Sequence, residues 1–218
     1  MKDHEIHEAI VILRESAKAW QPALVDDMGK KDRNPYKVLI ATILSLRTKD
    51  TITAQISPQL FALADNPHDM VRHTPAEIET IIYPVGFYRN KAKSILAISQ
   101  TLLDEYGGEV PADLDKLLEL PGVGRKTANL VMTAGFNLPG ICVDIHVHRI
   151  SNRWGYVQTK TPEQTEFALR DKLPPEYWLE YNGLLVSFGQ NLCAPTSPWC
   201  SKCPVIQFYD RVGVGRSR

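Results

Sequence analysis

The chain has 218 residues, and 25 Lys plus Arg against 25 Asp plus Glu leave a formal net charge of +0. Hydrophobic residues make up 44% and charged residues 23%, the balance of a globular chain able to bury a core as one large domain or two small ones. No apolar run nears the roughly 20 residues that cross a bilayer. Met1-Lys2-Asp3-His4-Glu5 lacks the apolar centre of a secretion signal, so a cytoplasmic location is expected. The charge is unevenly spread: residues 1–115 carry 13 Lys plus Arg against 17 Asp plus Glu, and residues 116–218 carry 12 against 8. The second half is therefore the cationic one, a modest field that suits a few local phosphate contacts.

In chain order, Ile6, Ile10, Leu13, Ala17 and Trp20 recur at helical spacing and form an apolar stripe. Asn34-Pro35 starts a second helix, carrying Tyr36, Leu39, Ile40, Ile43 and Leu44, with the Asn as cap. Thr74-Pro75-Ala76-Glu77 has the pattern of a capping box with Pro at the first helical position. Ile95, Ile98, Leu102 and Tyr106 form a further stripe. Leu114, Leu117, Leu118 and Leu120 predict one helix, and Ala128, Val131, Met132 and Gly135 the next. Thr161-Pro162-Glu163-Gln164 repeats the capping pattern, and Leu179, Leu184, Leu185 and Phe188 predict a late helix ending at Gly189. No alternating run is long enough for a sheet, so the expected class is all-α.

Between two of these helices lies Leu120-Pro121-Gly122-Val123-Gly124-Arg125-Lys126-Thr127-Ala128. Pro121 stops the first helix, while Gly122 and Gly124 permit positive φ and leave no Cβ to hold a ligand off the backbone. The N–H groups of the turn and of the next helix's first turn would then face one phosphate. Such contacts position a nucleic acid without reading its sequence. An ordinary helical hairpin loop is the alternative for this turn. Lys126 lies where a cation opposes the helix dipole, and a partly desolvated lysine there could present a neutral amine for Schiff-base chemistry. The alternative is a solvated surface lysine. Asp144 follows the apolar run Ile141-Cys142-Val143 and precedes a helix with Val147, Ile150 and Trp154, which makes it both a carboxylate candidate and an N-cap. His146 and His148 follow it closely, but a metal site is not expected there. Cys142 reads as a small buried hydrophobe.

The run LPGVGRKTAN, then VDIH, then a cysteine-rich tail resembles the endonuclease III family of helix-hairpin-helix DNA glycosylases. So do Ile43-Leu44-Ser45-Leu46-Arg47-Thr48-Lys49-Asp50, Val85-Gly86-Phe87-Tyr88 and Gly107-Gly108-Glu109-Val110-Pro111, so the resemblance spans nearly the whole chain. It implies a six-helix domain over residues 28–138, with the hairpin motif at about 114–130. Residues 1–27 plus 139–218 would form a second helical domain that ends in a cysteine loop at 193–209, with DNA lying in a cleft between the two. Lys126 is implied as the nucleophile that displaces a damaged base at C1′ and supports β-elimination, and Asp144 as the catalytic carboxylate. Gly122, Val123, Gly124, Arg125, Thr127 and Lys202 would contact DNA. Arg47 and Phe87 would fill the gap left by a flipped nucleotide, although the family often has an amide at the Arg47 position. A core aromatic is the alternative for Phe87.

Removal of oxidised pyrimidines from damaged or abasic double-stranded DNA, by a monomer, is the implied activity. A mismatch or purine glycosylase with weak lyase activity is a second reading. A non-catalytic helix-hairpin-helix DNA-binding protein and a redox-sensing DNA binder are others. Cys193, Cys200 and Cys203 match three ligands of the family's iron-sulfur loop, and Tyr209 stands where the fourth is expected. Two readings of the loop stand open. One is a [4Fe–4S] cluster with an atypical fourth ligand, and the other is a loop that has lost its cluster and is held by packing of Trp199, Pro195, Pro198 and Pro204. Zinc and a Cys200–Cys203 disulfide fit less well.

Overall fold

The computed structural model describes residues 1–20, 32–209 and 211–218, and every regular element among them is helical. The chain divides into two units, one of Leu24–Leu138 and one of Met1–Ala23 with Pro139–Arg218. The boundary expected between residues 27 and 28 lies outside the described residues. Helix α1, Glu5–Ala17, belongs to the second unit.

The spine of the first unit is α2, Pro35–Ser45. Asn34 accepts the Lys37 N–H at 3.1 Å, and Pro35 enters at the first position with its φ preset for a helix. Residues Val38 to Leu44 are all buried, so α2 is apolar round its circumference rather than along one stripe. Burial of Leu39, Ile40, Ile43 and Leu44 contributes roughly 1.5–3 kcal/mol each. It packs against α3 (Asp50–Leu63), α6 (Tyr88–Tyr106) and α8 (Arg125–Leu130), and against the π-helical turn Val131–Gly135 that follows α8. A Cβ on Gly135 would lie 3.1 Å from Pro35 Cα, so the bare Cα lets the start of α2 rest on that turn.

Sequence periodicity does not announce α3, because half of its buried face is polar: Thr53, Ile56, Ser57 and Leu60. Ser57 Oγ donates back to the Thr53 carbonyl at 2.8 Å, and Pro58 sits within the helix. Between α3 and α6 come α4 (Pro67–Met70) and α5 (Pro75–Ile82). The capping box of α5 forms in full: the Thr74 N–H donates to Glu77 Oε2 at 2.7 Å and the Glu77 N–H to Thr74 Oγ1 at 3.3 Å. Helix α7, Leu114–Glu119, is capped by Asp113 and leads through the glycine turn into α8.

In the second unit, Ile6, Ala9, Ile10 and Leu13 of α1 share one core with Trp154, Tyr181, Leu185 and Phe188. The other helices are α9 (Ile145–Arg153), α10 (Pro162–Lys172) and α11 (Trp178–Asn191). Trp20 lies beyond the end of α1 but stacks on Phe188, with ring centroids 6.1 Å apart. The Thr161 pattern forms differently from that of Thr74: Thr161 accepts the Gln164 N–H, while Gln164 Oε1 reaches back to the Lys160 N–H.

Gly189 does not end α11, contrary to expectation, but lies inside it. A Cβ there would collide with His146 Nδ1 and approach Arg149 Nη2 to 2.9 Å, so this glycine serves a close helix crossing rather than a helix stop. No described helix is long and apolar enough to cross a membrane.

Candidate active site and nucleic-acid interface

The turn from α7 to α8 is built as a hairpin around Gly122, whose φ is +75°. Gly124, expected to share that conformation, is extended at φ −98°, ψ 173° because it is the N-cap of α8. Its value is space: a Cβ on Gly124 would meet nothing within 4 Å, and one on Gly122 only Ser94 Oγ at 3.9 Å. The backbone over the turn is therefore open to a ligand. Val123 is turned inward instead; its side chain is buried and its N–H donates to the Leu120 carbonyl at 3.1 Å. Thr127 is buried too, so what it presents at the helix start is backbone. Arg125 is half-buried, and Lys126 is exposed in the first turn of α8.

Asp144 caps α9. Its Oδ1 accepts the N–H groups of His146 and Val147, both at 2.8 Å, while the residue stays half-buried between buried Val143 and exposed Ile145. The cap engages one carboxylate oxygen, so the structural role occupies Oδ1. Cys142 is buried, and its carbonyl accepts from Asn182 at 3.0 Å.

Arg47 and Phe87 lie forty residues apart in sequence and are brought together: the Arg47 guanidinium sits 5.6 Å over the Phe87 ring. Phe87 is 59% exposed, not a core aromatic. Both residues have positive φ, 53° and 59°, a region that non-glycine residues seldom occupy. Hydrogen bonds of Thr48 and Lys91, neither of them read from the sequence as a site residue, link the two segments. Thr48 Oγ1 accepts the Gly86 N–H at 3.1 Å, and Lys91 Nζ donates to Thr48 Oγ1 at 3.0 Å. The signal for Lys91 was a charge four residues before Ile95, on the apolar stripe of α6.

In the C-terminal loop, Cys193, Cys200 and Cys203 are buried, free thiols that line one pocket with Phe188, Leu192, Pro198, Trp199 and Tyr209. Arg153 Nη1 donates to Cys193 Sγ at 3.1 Å, and the Tyr209 hydroxyl lies 3.2 Å from Cys203 Sγ. Burial pushes the thiols of Cys193 and Cys203 up from their ordinary value. The pocket's free volume is about 10 Å³, at the lower limit for one water molecule. Among the described residues, no three His, Cys, Asp or Glu side chains are grouped to hold a metal ion. The residues present do not fit a four-thiolate [4Fe–4S] cluster: three sulfurs are supplied, and a phenol stands at the fourth position against one of them. Outside the pocket, Lys202 Nζ and the Arg218 guanidinium lie 4.9 and 4.3 Å from the Trp199 ring centroid, gathering two cations on the loop.

Two helical units and a glycine hairpin with an open backbone and a lysine beside it define a helix-hairpin-helix protein. The family model described as HhH-GPD superfamily base excision DNA repair protein matches residues 40–175. Endonuclease III of Thermotoga maritima is 46% identical over 191 residues, covering 86% of this chain and 90% of its own. A solved non-covalent endonuclease III–DNA complex is similar at a TM-score of 0.86 and 34% identity, over 97% of this chain and 96% of that one. A trapped covalent endonuclease III–DNA intermediate matches at the same TM-score and identity, over 97% of each chain. The chain belongs to the endonuclease III family, DNA glycosylases of base excision repair with lyase activity at abasic sites.

Proposed function

We propose that this chain removes oxidised pyrimidines from double-stranded DNA and nicks the resulting abasic strand, acting as a monomer in the cytoplasm. The observation that carries the reading is the exposed Lys126 in the first turn of α8, beside the open turn at Gly122 and Gly124. Backbone N–H groups of Gly122, Gly124, Arg125 and Thr127 take a DNA phosphate, and the helix dipole favours its charge. That contact sets the sugar against the lysine. Lys202 and Arg218 add a second phosphate contact.

The unprotonated Lys126 amine attacks C1′, and the bond from C1′ to the base breaks, with the electron pair leaving on the base, which takes up a proton. Opening of the sugar ring gives a Schiff base. Loss of a proton from C2′ then expels the 3′ phosphate, and water releases the enzyme from the remaining imine. Asp144 is the carboxylate that assists base loss and proton transfer, through Oδ2, while Oδ1 keeps the cap. The damaged nucleotide must first leave the stack, at a cost of a few kcal/mol that is smaller for a damaged base. Phe87 fills the gap and Arg47 hydrogen-bonds the orphaned partner base.

Borohydride trapping tests the chemistry. Wild-type protein crosslinks covalently to duplex carrying an oxidised pyrimidine, and Lys126→Ala does not; equal trapping by the alanine variant removes Lys126 as nucleophile. Running the assay over oxidised pyrimidines, mismatches and damaged purines separates this reading from a mismatch or purine glycosylase.

For the cysteine loop, we infer that Tyr209 and the packing around Trp199 close it in place of a four-thiolate cluster. The contact between Tyr209 and Cys203 supports this reading. Iron and sulfide analysis of anaerobically prepared protein checks it, and a stoichiometric cluster would overturn it.

A further inference from the structure

Lys91 is 6% exposed, and its three ammonium hydrogens all go to neutral oxygens. It donates to the Leu44 carbonyl at 2.7 Å, the Leu46 carbonyl at 2.5 Å and Thr48 Oγ1 at 3.0 Å. The two carbonyls belong to the last turn and C-cap of α2, where helix carbonyls lack an intrahelical partner and a cation is favoured. Three acceptors require three hydrogens, so the arrangement is satisfied by the charged form. Thr48 Oγ1 also receives the Gly86 N–H at 3.1 Å, so one hydroxyl joins the segment after α2 to the segment before α6. The two backbones approach so closely that a Cβ on Gly86 would lie 2.7 Å from the Arg47 carbonyl oxygen.

Either side of this junction stand Arg47 and Phe87, both at positive φ and both projecting outward with guanidinium over ring. Such conformations persist only where the surroundings over-determine them. The junction of half-buried Thr48 and Gly86 with the buried Lys91 supplies that determination. We propose that Lys91, acting through Thr48, is a positioning residue that holds the Arg47 and Phe87 segments as one unit, and so sets how well the enzyme displaces a damaged nucleotide from duplex DNA. The proposal rests on the reading of Arg47 and Phe87 as the residues that fill the vacated stack. Nothing in it requires Lys91 to touch DNA or the reacting sugar.

The experiment compares two reactions of the full-length protein. Excision of an oxidised pyrimidine from duplex requires displacement of the nucleotide, whereas strand cleavage at an abasic site in single-stranded DNA does not. Lys91→Met and Thr48→Val are expected to slow duplex excision about tenfold or more, the scale of a positioning defect. They also weaken the fluorescence change of 2-aminopurine placed opposite a stable abasic analogue. Single-strand cleavage stays within about twofold of wild type, since Lys126 is untouched, and Thr48→Ser, which keeps the hydroxyl, restores duplex excision.

A merely structural role would lower both reactions together, and that outcome overturns the proposal. So does wild-type excision by Thr48→Val, which decides the matter if Lys91→Met does not fold. Phe87→Ala and Arg47→Ala test the underlying reading separately. If they excise normally, the gap-filling assignment fails; if they are impaired while Lys91→Met and Thr48→Val are not, only the positioning role fails.

Discussion

The Tyr209 hydroxyl lies 3.2 Å from Cys203 Sγ, in a pocket that also holds Cys193 and Cys200. Tyr209 is buried, and its ring packs 6.2 Å from that of Trp154, so its aromatic body belongs to the core of its unit. Tyr209→Phe, which removes only the hydroxyl, is expected to cost about 1 kcal/mol, the net worth of one hydrogen bond. Tyr209→Cys restores a fourth thiol and empties volume beside the other three. Reconstituted with iron and sulfide, that variant is expected to gain visible absorption and bound iron, while wild type treated in the same way gains neither.

Asp144 combines a structural and a chemical role that two substitutions can separate. Asp144→Asn keeps an oxygen able to accept the His146 and Val147 N–H groups, so its thermal midpoint stays close to wild type. Asp144→Ala loses the cap and about 1 kcal/mol. Both variants lose the carboxylate, and both are expected to excise about a hundredfold more slowly or worse, as for removal of a general acid–base group. Normal excision by the stable Asn variant leaves Asp144 as a cap alone.

Gly86→Ala tests the close approach of two backbones. Its Cβ would sit 2.7 Å from a carbonyl oxygen that cannot rotate away, so the segments must part. A loss of about 1–3 kcal/mol in a urea unfolding series is expected, as for other overpacked sites. The same substitution on an open helix face would be neutral or stabilising.

Burial pushes the Lys91 ammonium down to about 8 from its ordinary 10.5. Between those two values the unfolded chain holds the proton and the folded chain releases it, so stability from this group rises with pH across that window. The gain is complete above 10.5 and absent below about 8, where both states are protonated. Comparing unfolding of wild type with Lys91→Met across this range isolates the effect, because the buried tyrosines titrate alike in both proteins. The stability difference is expected to move in favour of wild type as pH rises; a flat difference rules the shift out.

Helix starts and the hairpin were legible in sequence because their signals are local, whereas the catalytic roles of Lys126 and Asp144 came from the family resemblance. Asn34 before Pro35, Thr74 three residues before Glu77, and Gly122 beside Lys126 each act within one turn of backbone, and the structure forms the caps and the hairpin where those residues stand. The helix of residues 50–63 was hidden because its buried face carries Thr53 and Ser57, which bury polar atoms by bonding within their own helix and so blur the apolar period.

What only the tertiary structure decided is where distant segments meet. Gly189 reads as a helix stop until His146 and Arg149 cross it, and Lys91 finds its partners in two carbonyls at the end of α2 and the Thr48 hydroxyl beyond it. Tyr209, which stands at the position of the family's fourth ligand, meets Cys203 through its hydroxyl. A buried polar group must find a partner, but sequence spacing does not say which one when the partner lies forty residues away.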